Sequence, residues 1–142
     1  MITNVKRVVQ ARSGSGAVEF ALISPLFIMF LFGIVAYSTI FTVSSGMQQL
    51  AAESARASLA GLTDTERTQL AQTFVASNSS AYPFLDPQKL TISATINYKP
   101  SKQLQVSLSY DMSKAPMFSL AGVPLPMSQL QRTAIVDLSG TT

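Results

Sequence analysis

A chain of 142 residues with 47% hydrophobic and only 12% charged side chains carries far less charge than a soluble domain, where roughly 25% is usual, and this points to a membrane segment beside one modest domain. It contains no Cys and no His, which excludes disulfides, thiol nucleophiles and Cys-based zinc sites and removes the commonest general base and metal ligand. The net charge of +3 is carried whole by Lys6, Arg7 and Arg12; the later basic and acidic residues cancel, so no basic face for nucleic acid remains.

Residues 1–14 read as a short cytoplasmic leader whose positive charges set topology: the N-terminus stays inside and the chain beyond about residue 44 lies outside. From residue 20 to residue 52 there is no charged side chain. The run "FALISPLFIMFLFGIVAYSTIFTV" (20–43) is apolar on every side and long enough to cross ~30 Å of hydrocarbon as a helix. It exceeds the ~7–15 apolar residues of a cleaved secretory signal. Pro25 and Gly33 fall inside it and are tolerated in membrane helices better than in soluble ones, Pro25 as a candidate kink. Glu19 sits at the mouth of this run, where a carboxylate is costly and marks function.

The helical pattern continues into "GMQQLAAESARASLAG" (46–61), with Leu50, Ala51, Ser54 and Ala55 on one side and Gly61 as the stop. One long helix is therefore expected, half in lipid and half outside. "TDTE" (63–66) has the form of a capping box and predicts a second helix to about Ser77, with Leu70, Ala71, Phe74 and Val75 as its buried stripe. The period then changes to two. "LTISATINY" (90–98) places Leu90, Ile92, Ala94, Ile96 and Tyr98 on one face, and "LQVSLSYDM" (104–112) does the same with Leu104, Val106, Leu108, Tyr110 and Met112. "KPSKQ" (99–103) suits a hairpin loop, and "QLQRTAIVDL" (129–138) reads as a third strand. Between them "KAPMFSLAGVPLPM" (114–127) has too many prolines for a regular element; it reads as a connection packed over the sheet edge or as a contact patch for a partner.

The expected architecture is α+β: a long N-terminal helix with a transmembrane half and an extracytoplasmic half, a second short helix, and a small three-stranded antiparallel sheet laid on the exposed helices. The expected segments are a leader at 1–14, a transmembrane helix at 15–43 and an extracytoplasmic domain at 44–142. No motif for catalysis or a cofactor is present. Ser113 and Lys114 lack an oxyanion-hole signature, and Asp86, Asp111 and Asp137 are isolated in sequence, as turn or strand-face residues are. No enzyme, metal or cofactor is expected.

A basic leader ending in Gly, a Glu at the fifth position after it, an aromatic next and then an apolar helix resemble the type IV prepilin class. In particular "GAVEFALISPLF" (16–27) resembles the TadE-like family of tight-adherence (Tad, Flp-type) pilus proteins. The resemblance implies a pseudopilin or minor pilin with one membrane helix and a small extracytoplasmic domain. It implies cleavage by a prepilin peptidase between Gly14 and Ser15, since only Gly14 puts Glu19 fifth, with Glu19 and Phe20 as the assembly and processing motif. The implied partners are that peptidase, other Tad pilins and pseudopilins met through the N-terminal helix, an inner-membrane assembly platform and the lipid bilayer, with no nucleic acid. The implied location is the bacterial inner membrane, with the C-terminal domain in the periplasm and outside the cell once in a pilus; whether the chain is fibre subunit, tip or retained assembly factor stays open. Two other readings stand beside it. One is a signal-anchored periplasmic binding module outside any fibre. The other is a type II secretion pseudopilin, a class that carries Phe directly after the cut where this chain has Ser15 and Gly16.

Overall fold

The computed structural model describes residues 3–113 and 128–139, with side chains from residue 14 onward. The expected leader side chains at 1–13 and the proline-rich segment 114–127 lie outside the described residues. Helix α1, Thr3–Ala57, is a single α-helix, closed by a 3-10 turn at Ser58–Ala60. Helix α2, Asp64–Asn78, follows after a three-residue corner. Three strands complete the domain: β1, Leu90–Asn97; β2, Gln103–Asp111; and β3, Gln129–Asp137, in the antiparallel order β1-β2-β3. The α+β architecture expected from the sequence is the one observed.

Helix α1 serves two environments. Its lower part carries its large side chains bare: Phe20 is 74% exposed, Leu22 75% and Leu26 70%. An 18-residue window within Gly14–Ala60 has a mean hydropathy of 2.3, and none of it is buried. This is the signature of a membrane-anchoring helix. Its upper part covers a stripe at Ala36, Ile40, Val43, Met47, Leu50 and Ser54, spaced three and four apart, with Ile40 only partly buried, and α1 packs there on β2 and β3. The covered stripe begins at Ala36, inside the apolar run, so no stalk separates the bare part of the helix from the domain.

Polar groups in the bare part are satisfied within the helix. Ser38 donates to Ile34 O at 2.7 Å, Thr39 to Val35 O at 3.0 Å and Thr42 to Ser38 O at 2.9 Å. Pro25 removes the amide that would bond Ala21 O, and the Ser24 hydroxyl reaches that same carbonyl at 3.5 Å. The helix continues through Pro25 without interruption. Lipid offers no water to these groups, so such self-satisfaction is what makes them admissible there.

The inner face of the sheet follows the alternation. Leu104, Val106, Leu108 and Tyr110 of β2 are buried, opposite Ile96, Ala94, Ile92 and Leu90 of β1 and Val136, Ala134, Arg132 and Leu130 of β3. Met47, Leu50, Leu104, Leu108 and Leu130 are almost wholly removed from water, and burying each contributes about 1.5–3 kcal/mol. Helix α1 crosses β2 and β3, while α2 lies beside α1 and over β1. Along β3, Arg132 bonds the Ser44 hydroxyl and Thr133 O accepts from Gln48 Nε2 at 3.5 Å. The start of β3 and the end of β2 therefore lie toward the bare part of α1. The hairpin loop at 98–102 lies at the far end.

Two particulars differ from expectation. Tyr98 does not continue the inner face of β1: the strand ends at Asn97, and Tyr98 turns outward, 66% exposed. The buried stripe of α2 begins one turn earlier than expected, at Arg67, and continues through Ala71 and Val75; Leu70 and Phe74 are only partly covered. Gly61 ends the helical run as expected, with ordinary extended backbone. Its value is close approach: a Cβ there would lie 2.8 Å from Arg67 Cγ and 2.9 Å from Arg67 N.

Ile96 faces inward and Thr95 outward on the same strand. Ile96→Asp is expected to destabilise the domain by about 3 kcal/mol, since it places an unpaired charge against Leu104. Thr95→Asp is expected to cost less than about 1 kcal/mol. Urea unfolding of the two variants side by side checks the register; equal losses would contradict it.

Candidate functional site

The sequence-predicted site lies on the bare helix. Gly14, Ser15, Glu19 and Phe20 are all exposed and lie on continuous α-helix. Lys6, Arg7 and Arg12 occupy the first turns of α1, and their side chains lie outside the described residues. A Cβ at Gly14 or at Gly16 would meet nothing within 4 Å, so the backbone there is open to approach. Ser15 and Glu19 are four residues apart, about one helical turn, and share a side of the helix.

Glu19 stands apart from the other acidic residues. Glu53 accepts from the Tyr82 hydroxyl at 2.9 Å. Asp64 pairs with Lys102 at 2.7 Å. Glu66 accepts from the Leu62 and Thr63 amides at 2.9 and 3.4 Å. Asp86 takes the Gln88 amide, Asp111 the Ser113 amide and Asp137 the Ser139 amide. Among the described residues Glu19 has no such partner, and its neighbours Val18 and Phe20 are 62% and 74% exposed apolar side chains. The one unpartnered carboxylate is thus the one at the edge of the apolar band, where leaving it unpaired costs most.

At 100° per residue, Glu19 lies on the side of α1 that carries Leu26, Phe30, Gly33 and Tyr37. These last four, with Met29, Ile34 and Ser38, line a shallow apolar groove of about 650 Å³ on the bare helix. Gly33 supplies its floor, with open space above its Cα. An adjacent helix could lie along this side with Glu19 at one end of the contact.

Residues 14–56 match the family model for TadE-like proteins. The match covers a little under a third of the chain: the exposed band, Pro25 and the upper stripe of α1, but neither α2 nor the sheet. It bears out the resemblance seen in the sequence. No curated protein and no solved structure matches the chain.

Two polar clusters occur elsewhere. Asp86 and Asp111, isolated in sequence, line one recess with Gln88, Lys89 and Thr91, and Lys89 lies 3.9 Å from Asp86. Among the described residues no group of three or more potential metal ligands converges. At the far end, Tyr98 donates to Asp64 at 2.8 Å and Lys102 lies 5.8 Å from the Tyr98 ring centre. This cluster fastens the hairpin loop to the first turn of α2, which the capping box starts: Thr63 Oγ1 accepts from the Glu66 amide at 3.2 Å, and Glu66 answers. Sequence reading missed both Tyr98 in this role and Arg67, whose Nε donates to Gly61 O at 2.9 Å. Arg67 follows directly on the capping box, and a long cation one turn into a helix after a Gly corner was the available signal.

The hydrogen bond from Lys102, and then that from Tyr98, hold the Asp64 carboxyl below its ordinary range, while Asp64 pushes the Tyr98 hydroxyl up. A lowered folded value means that the contribution of Asp64 is complete above the ordinary carboxylate range and fades as pH falls through the lowered value. Asp64→Asn is therefore expected to lower the urea midpoint at neutral pH and to flatten its decline below about pH 4. Parallel pH series of wild type and variant check this; identical slopes would show that the cluster adds nothing.

Proposed function

We propose that the chain is a pseudopilin, or minor pilin, of a Tad-type pilus, inserted with its N-terminus in the cytoplasm and its sheet domain in the periplasm. A prepilin peptidase cuts it between Gly14 and Ser15. It is the substrate of that peptidase, and it then takes part in pilus assembly, priming or adhesion. The observation that carries this reading is Glu19, a carboxylate without a partner at the head of a bare apolar helix, five residues after Gly14, within the segment that matches TadE-like proteins.

The chemistry supports it in order. Cleavage removes Lys6, Arg7 and Arg12 and with them the whole net charge. It leaves a new α-amine on Ser15, largely cationic at neutral pH. That amine lies about one turn from Glu19 of its own helix and, in a packed bundle, within reach of Glu19 of a neighbour. Low dielectric strengthens the attraction, and the cost of an unpaired carboxylate rules out loose registers. Apolar packing along the groove at Gly33 holds helices together but sets their relative height poorly. The charge pair sets it.

Gly14→Leu puts a bulky side chain on the residue that donates the cut bond, and is expected to leave the uncut chain in the membrane. Intact-mass and N-terminal analysis of membrane-purified protein, with and without the peptidase, check this. A product beginning at Ser15 from the variant would refute the site.

Glu19→Gln keeps shape and removes charge. It is expected to be processed and inserted normally, yet to fail to support pili in cells lacking the wild-type chain. Normal fibres from this variant would reduce Glu19 to a carboxylate that merely reaches water.

A further inference from the structure

We propose that the sheet domain rests on the bilayer surface and inserts Phe84 into the lipid interface as a second anchor beside α1. The inference rests on the membrane-spanning role of α1 given above and goes beyond it.

Phe84 is the one non-glycine residue with positive φ among the described residues, at 61°. An aromatic residue in the left-handed region is disfavoured, and such strain persists only where surrounding contacts impose it. Here they do. The Tyr110 hydroxyl donates to Phe84 O at 3.3 Å and accepts from the Asp86 amide at 3.2 Å, so one side chain clamps both sides of the turn. The Leu85 amide bonds Tyr82 O at 3.3 Å, and Leu85 is buried in the core. The turn thus sends Leu85 inward and Phe84 outward, where it is 67% exposed. The fold gains nothing from a large apolar ring at this point; Asn or Gly would take the same backbone at less cost.

Position supplies the occupant. Counted from residue 20, just past Glu19, twenty residues at 1.5 Å each carry α1 through ~30 Å of hydrocarbon and end near Thr39. Arg132 bonds Ser44, and Leu130, which pairs with Tyr110, lies two strand residues closer to the membrane, about 7 Å or four to five helical residues. Tyr110, and the Phe84 turn it clamps, therefore stand level with about residues 39–40 of α1. Tyr82, two residues before Phe84, packs higher on α1: an added Cβ at Gly46 would lie 3.3 Å from its Cδ1, its hydroxyl donates to Glu53, and with Pro83 it shares a groove with Phe41, Thr42, Ser45, Gly46 and Gln49. Phe41 is itself 74% exposed and Tyr37 57%, so exposed aromatic side chains of α1 flank the level reached by Tyr110. Aromatic side chains concentrate at this depth because their rings suit the boundary between chains and headgroups. The surface at Phe84 continues the bare apolar band of α1, and its occupant is lipid.

The chain has no Trp, so a single introduced Trp reports its own surroundings. Three full-length variants would be reconstituted in phosphatidylcholine–phosphatidylglycerol vesicles: Phe84→Trp, Ile28→Trp in the bare helix, and Leu62→Trp, at a position 89% exposed at the far end. Phe84→Trp is expected to be quenched strongly by lipids brominated near the carbonyl and weakly by lipids brominated near the chain end. Ile28→Trp should show deep quenching and Leu62→Trp none. Quenching at Ile28 without quenching at Phe84 overturns the second anchor and leaves the span intact; no quenching at Ile28 overturns both. The chain also lacks Cys, so a spin label on Phe84→Cys gives an independent reading. Greater accessibility to oxygen than to a water-soluble nickel chelate is expected there, and the reverse overturns the proposal.

Discussion

Everything in this molecule hangs on one helix that must satisfy two environments without a break. Below Ala36, α1 offers apolar side chains in every direction; above it, one stripe turns from outward-facing to sheet-facing while the opposite side stays exposed. The backbone makes no concession to the change. Side-chain choice alone does it: bulky Phe, Leu and Ile below, then Ala, Ser, Val and Met at three- and four-residue spacing where a sheet must come close. Ala36, Ala51 and Ser54 are fully buried and small, which lets β2 and β3 lie near the helix axis.

The corner after α1 is the second constraint, and it depends on the first. A helix this long must be stopped sharply if α2 is to return along it. Gly61 leaves room that any Cβ would fill, and Arg67 uses that room to reach Gly61 O. Glu66 and Thr63 meanwhile satisfy the free amides at the start of α2. The Asp64, Lys102 and Tyr98 cluster then fastens the hairpin to the same corner, so the far end is held by polar contacts while the near end is held by apolar ones.

Much of this was legible in the sequence because it is periodic. The bare run, the capping box and the alternation in 90–98 and 104–112 each report a local rule; α2 and the three strands formed within a residue or two of their expected places, while α1 begins at Thr3, inside the expected leader. What was not legible depends on which residues meet across the fold. Tyr98 obeys the alternation by position, yet the strand ends before it and Asp64, distant in sequence, draws it outward. Arg67 looks like an ordinary surface cation until Gly61 opens a slot for it. Phe84 has no local signal for its backbone, since Tyr110 imposes it from another element. The proposed site at Gly14 and Glu19 is of the opposite kind: it rests on spacing along one helix and on no tertiary contact.

The distribution of charge connects the fold to its proposed use. A small domain with few charged residues gives nearly every carboxylate a local task, as a cap, a turn acceptor or an ion pair, and those tasks hold the domain in one arrangement. Glu19 has no such task within the described chain, although its place at the edge of the apolar band penalises an idle charge more than the surroundings of the other six carboxylates do. Nothing among the described residues repays that penalty. The fold thus satisfies six of its seven carboxylates and leaves the seventh bare at the edge of the apolar band. On the proposed reading, the cation that meets it is the Ser15 α-amine that processing would expose, on the same chain or on a neighbour, and that contact becomes available only once the leader is gone. That reading couples processing to assembly by electrostatics, without requiring any moving part in the domain.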